Sequence, residues 1–124
     1  MAEFAMIAVV FFMLLVGIME MAQAVYSYST VCSAAREAVR YAIVHGPTSV
    51  SPATTAQIQQ VAISYAPGLN MQTSEVTVTF PANAVNSLQK DAVVKISHTY
   101  KLGVPGLAPV SLTLVSTAQM LTSQ

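Results

Sequence analysis

Charge is what this chain most conspicuously lacks. Arg, Lys, Asp and Glu make up 8% of its 124 residues, against about 25% in ordinary soluble domains. Much of its surface must therefore meet something other than water. Its five cations balance its five anions, so no basic field exists to draw in nucleic acid or anionic lipid. A single cysteine, Cys32, excludes an intrachain disulfide framework. Tryptophan is absent and the five tyrosines are scattered, which leaves no aromatic stripe for base stacking or electron transport. There is no Asn-x-Ser/Thr sequon, no glycine-rich phosphate loop and no CxxCH haem motif.

Catalytic sets are missing too. His45 and His98 stand without a cysteine or carboxylate at metal-ligand spacing, and no nucleophile–base pair stands out. The expectation is a non-enzymatic protein without a cofactor. His98 falls on the apolar side of an alternating segment and reads as a buried, hydrogen-bonded histidine. His45 falls at a helix C-terminus, where partial positive charge is favoured. Cys32 reads as core packing.

What the chain has is an apolar beginning. From Phe4 to Met19 there are sixteen residues without charge, bracketed by Glu3 and Glu20. A secretory signal would carry a basic front, and none precedes this run. Sixteen residues fall just below the ~18 that mark a membrane span. Lengthening the run to Val25 takes in Glu20, a carboxylate tolerable near a bilayer boundary and costly deep inside. Three readings compete: a plain membrane anchor, a core helix of a soluble domain, and a helix that first sits in a membrane and later packs among identical helices. The remaining chain is too small to wrap such a helix, which counts against the second.

Periodicity organises the rest. Residues 3–44 read as one unbroken helix, roughly 60 Å long at ~1.5 Å per residue. It is apolar all round up to about Tyr26 and amphipathic beyond. Val31, Ala35, Ala38 and Ala42 share one face, with Ser29, Ser33, Arg36, Glu37 and Arg40 on another. Residues 1–27 are therefore expected to protrude as a hydrophobic helix, and 28–124 to form a head. Gly46 suits the C′ position and Pro47 blocks continuation. A second helix is expected with Ser51 as N-cap and Pro52 at N1, its buried face formed by Ile58, Val61, Ala62 and Tyr65. "EVTVTF", "AVVKISHTYKL" and "VSLTLVSTAQM" then alternate as three strands, separated by the loops "PANAVNS" and "GVPGLAP". The predicted class is α+β: a helical stalk running into a small head with a second helix and a three-stranded antiparallel sheet. The stretch from Tyr41 to Ser74 carries no Asp, Glu, Lys or Arg and reads as a polar surface segment.

Residues 2–42, "AEFAMIAVVFFMLLVGIMEMAQAVYSYSTVCSAAREAVRYA", resemble the TadE-like family of pilin and pseudopilin subunits from tight-adherence type IV pili. The "EFA" start, "GIME" after the apolar run and "AAREAVRYA" at the end of the helix follow in that family's order. Downstream the likeness is looser, through a Val-rich strand and "ISHTYKL". The resemblance implies a pilin-like fold and cutting by a prepilin peptidase at a site that the "EF" lies just behind. A mature form would then explain the missing basic front. It also implies partners: the inner membrane before assembly, the pilus assembly machinery, and copies of the chain in a homo-oligomeric helical filament outside the cell. The family places its glutamate fifth after the cut, whereas Glu3 is third here.

The residues themselves allow the same reading. Apolar helices of neighbouring subunits can replace lipid as each other's surroundings, with ~1.5–3 kcal/mol per large side chain buried. Open helical growth needs heterologous contacts, and a one-ended stalk on a head supplies the asymmetry. The expected assembly surface is Glu3, Phe4, Phe11, Phe12, Leu14, Leu15, Val16, Gly17 and Glu20. By the resemblance, Glu3 would pair with the N-terminal amine of an adjacent subunit; its other reading is a first-turn acid favoured by the helix dipole. Glu20 has no cation within a turn of its own helix, so an intersubunit partner, a boundary position or protonation is expected. Arg36, Glu37 and Arg40 either support one another at i,i+3 spacing or touch a neighbouring head. The functional expectation is a structural pilin that supports surface attachment. A minor pseudopilin that primes the filament and a membrane-anchored accessory domain that never polymerises are the alternatives.

Overall fold

The computed structural model describes residues 2–46, 49–81, 91–103 and 108–121. Helix α1 spans Ala2–Val44 without a break and helix α2 spans Thr55–Ser64. A 3₁₀ turn at Thr73–Glu75 leads into β1 (Val76–Thr79), followed by β2 (Asp91–Leu102) and β3 (Val110–Leu121). The strands form one antiparallel sheet in the order β1-β2-β3. The α+β class and the stalk-and-head arrangement are thus those expected. At ~1.5 Å per residue, α1 is about 65 Å long.

The core forms where α1 turns amphipathic. Val31, Ala34, Ala35, Ala38, Val39 and Ala42 are fully buried, against Ile58 and Ala62 of α2 and Ala92, Val94 and Ile96 of β2. Alanine at four of these six helix positions lets sheet and second helix approach the α1 backbone closely. In the sheet, Val76 stands opposite Ile96 and Ile96 opposite Ser116, with Val94 opposite Ala118. The inward row therefore tapers from large side chains on β1 and β2 to small ones on β3. Strand β2 alternates as read: Val94 and Ile96 are buried, Lys95, Thr99 and Lys101 exposed.

Several local expectations are corrected. Gly46 does not adopt a left-handed C′ conformation; among the described residues positive φ occurs at Gly68 (84°) and Asn70 (46°). Helix α1 ends instead on backbone bonds from His45 to the Tyr41 carbonyl and from Gly46 to that of Ile43. Pro47, most of "PANAVNS" and the middle of "GVPGLAP", residues 104–107, lie outside the described residues. The N-cap of α2 is Thr54, not Ser51. Its hydroxyl accepts from the Gln57 amide while the Gln57 side chain accepts from the Thr54 amide, a reciprocal capping box. Ser51 and Pro52 stay exposed in the approach, because that box closes only where a residue able to bond back lies three positions on. Thr54→Ala should accordingly lower head stability by about 1 kcal/mol and Ser51→Ala leave it unchanged, as read from denaturant midpoints. Of the expected α2 face, Ile58 and Ala62 are buried and Val61 is half-buried, but Tyr65 is 54% exposed. It forms the C-cap, where the chain leaves the helix. Phe80 lies past the end of β1 and is likewise exposed.

Candidate assembly surface

The side chains of Glu3 to Gln23 are all exposed or half-buried, and from Glu3 onward the first buried residue is Ala24. The most apolar window of this helix, mean hydropathy 2.5, has none of its residues buried. Phe4 is 78% exposed, and Phe11, Phe12, Leu14 and Leu15 are exposed as well. Val16 and Gly17 are half-exposed on the same rod. Phe11 and Phe12 meet edge to face at 6.0 Å. A Cβ added at Gly17 would meet no atom within 4 Å, so the glycine answers no packing need within the chain. Glu3 is exposed in the first turn, where the helix dipole favours an acid.

Glu20 has a partner that helix periodicity did not suggest. The Tyr100 hydroxyl, reaching down from β2, lies 3.2 Å from Glu20 Oε2 and 3.1 Å from Gln23 Oε1. With one proton to give, it donates to the ionised carboxylate in preference to the amide. This donor belongs to the same chain, 80 residues further on. It also carries head contacts back along α1 to a point before residue 28. Desolvation against the helix, and then the Glu20 carboxylate, hold the Tyr100 phenol above its ordinary value. A phenol raised in the folded state favours folding below pH ~10, and that contribution disappears as pH climbs through the raised value. Tyr100→Phe should remove the bond and loosen the head on the stalk, costing up to about 1.5 kcal/mol in this partly exposed setting. Amide exchange at residues 18–24 measures it.

The polar residues of the second half of α1 stay outside. Arg36 and Arg40 are exposed and Glu37 is half-buried. The expected i,i+3 support between Glu37 and Arg40 does not form: among the described residues the one ion pair within 4 Å is His98 with Glu75. Glu37 and Arg40 instead border, with Tyr41, His45, Val61 and Tyr65, a pocket of about 190 Å³ between the two helices. The His45 ring stacks on Tyr41 at 4.3 Å, its Nδ1 3.2 Å from the Tyr41 carbonyl. His98 is 12% exposed and its Nδ1 lies 3.2 Å from both oxygens of Glu75. The chain separation of 23 residues hid that carboxylate from any reading by spacing. Cys32 is half-buried rather than in the core. Among the described residues no three His, Cys, Asp or Glu side chains gather where they could hold a metal.

No curated protein and no solved structure matches the chain. A protein-family model does match, described as TadE-like protein, and it covers residues 1–40. That stretch is the exposed stalk together with most of the helical face buried in the head, so it is α1 that makes this chain similar to the pilus-associated proteins of the tight-adherence type.

Proposed function

We propose that the chain is a structural pilus subunit that polymerises through the exposed half of α1. The observation that carries this reading is the sixteen-residue uncharged run, displayed on a rod that its own head leaves uncovered. Water is a poor neighbour for that surface: each large apolar side chain removed from it contributes roughly 1.5–3 kcal/mol. Lipid tails serve as neighbours before assembly and equivalent helices serve afterwards, which makes the uncovered part of the expected stalk, up to the boundary at Glu20, the inserted unit, with the head beginning where Tyr100 meets the helix. Phe4, Phe11, Phe12, Leu14, Leu15 and Val16 supply the contact area, and Gly17 the close approach. Glu3 pairs with the amine of an adjacent subunit. Glu20, held at the boundary by Tyr100, keeps one carboxylate oxygen for a neighbouring copy. A prepilin peptidase and the pilus assembly machinery are the partners, and the product is an extracellular filament that supports attachment.

Similarity of residues 1–40 to the TadE-like family supports this reading. Electron microscopy of sheared surface material, with the peptide N-terminus read by mass spectrometry, tests it. Fibres built mainly of this chain are the expected result. Its presence only at fibre ends would assign it a priming role, and its confinement to the membrane fraction would make α1 an anchor.

A further inference from the structure

The sheet has two edges and they are treated differently. On β1 the edge is short, four residues, and the Gln59 side chain of α2 donates to its Val76 carbonyl at 2.9 Å. On β3 the edge runs for twelve residues, and among the described residues it has a strand, β2, on one side only. It contains no charge and no proline, two features that usually keep an open edge from pairing. Beside it lies a trough of about 500 Å³, one wall formed by six consecutive residues, Val115 to Met120. Successive side chains of a strand point to opposite faces. Six in a row therefore line a trough only if it runs along the backbone edge, where peptide N–H and C=O groups face out. The other wall is Tyr28, Cys32 and Arg36, one stripe of α1 at four-residue steps.

We infer that this trough is a strand-addition site for an extended segment of another polypeptide carrying an acidic side chain, which pairs with the backbone of β3 and sets its carboxylate on Arg36. Main-chain bonds supply affinity in such a mode and side-chain pockets the choice of partner. Among the described residues Arg36 is the one charged residue on the trough, and it forms no ion pair with another of them. Its place along the trough follows from the register. Tyr100, opposite Leu112, meets α1 at Glu20 and Gln23. From Gln23 to Arg36 the helix rises ~20 Å, the length of about six strand residues, which puts Arg36 level with Ala118. A second copy of β3 laid in the trough would bring no carboxylate, since the strand has none. Charge complementarity therefore selects an acidic partner over self-pairing. The inference does not depend on whether the stalk polymerises.

The test uses the full chain in detergent micelles and a fluorescent eight-residue peptide of alternating valine and threonine with one central aspartate. Saturable binding by anisotropy is expected, weakened about tenfold or more by Arg36→Glu, the fold-change of one charge-assisted hydrogen bond. A lysine-for-aspartate peptide should reverse that preference, and a backbone N-methylated peptide should not bind. No binding, or binding indifferent to Arg36→Glu or to N-methylation, overturns the assignment. So does quantitative disulfide formation between copies of a Cys32→Ser, Thr117→Cys chain, which would give the edge to a second copy.

Discussion

Val16→Asp is expected to abolish fibres while the chain remains folded and helical. Val16 lies inside the uncharged run, one helical turn before Glu20, and its own head does not bury it, so the substitution breaks no contact of the core. Valine and aspartate have similar intrinsic helix propensities, so the exchange does not unwind a helix of 43 residues. Among packed apolar helices the consequence differs. An ionised carboxylate without a partner is costly to bury, and it must either be protonated or be left out of the assembly. The penalty recurs in every subunit, so a polymer compounds it. At the centre of a bilayer the same group costs about 2.5–3.5 kcal/mol on insertion scales, which a single long apolar helix can absorb. The outcome to look for is a membrane fraction that retains the protein, a circular dichroism spectrum like that of the parent, and no filaments under the microscope. Val16→Leu, which keeps the surface apolar, should assemble. Normal fibres from the Val16→Asp chain would show that this part of the rod does not lie inside the polymer.

Ile58→Ala carries the largest expected effect on the head itself. Ile58 is one of two buried side chains of α2 and the larger of them, fully enclosed against the alanine face of α1. Removing three carbons there forfeits their transfer energy and leaves a void that a ten-residue helix held by few other anchors closes incompletely. About 2–5 kcal/mol is the usual cost, a large share of the stability of a domain this small. Tyr65→Ala serves as the companion. Helical periodicity puts Tyr65 on the same face, seven residues on, yet it is 54% exposed at the C-cap, and its truncation should cost less than about 1 kcal/mol. Denaturant midpoints for both variants, at unchanged slope, decide between the helical wheel and the observed boundary. Equal losses would return Tyr65 to the core.

These two substitutions mark how far local pattern carries. The rod was legible because an uncharged run is its own signature and needs no knowledge of what packs where. The alternation of β2 was legible for a similar reason: a period of two fixes which side chains share a face. Helix ends were read less well. Both Ser51 and Thr54 have capping chemistry, and the choice fell to Thr54 because Gln57 returns the bond three residues later. Contacts of Glu20, His98 and Arg36 were not legible at all. Tyr100 is 80 residues from Glu20 and Glu75 is 23 residues from His98, and nothing in the spacing of either pair announces the other.

The amino-acid order alone determined that a long helix would change character midway, that its leading half would seek apolar surroundings, and that the remainder would bury an alanine-lined face. These properties follow from side-chain chemistry repeated at the period of one element. Tertiary structure decided that the head reaches back to clasp Glu20 through Tyr100, that Gln59 bonds to one sheet edge, and that among the described residues the far edge of β3 lies unpaired beside Arg36. Each of these depends on strand register and on the placing of the sheet across α1, where segments far apart in the chain meet and no local period relates them.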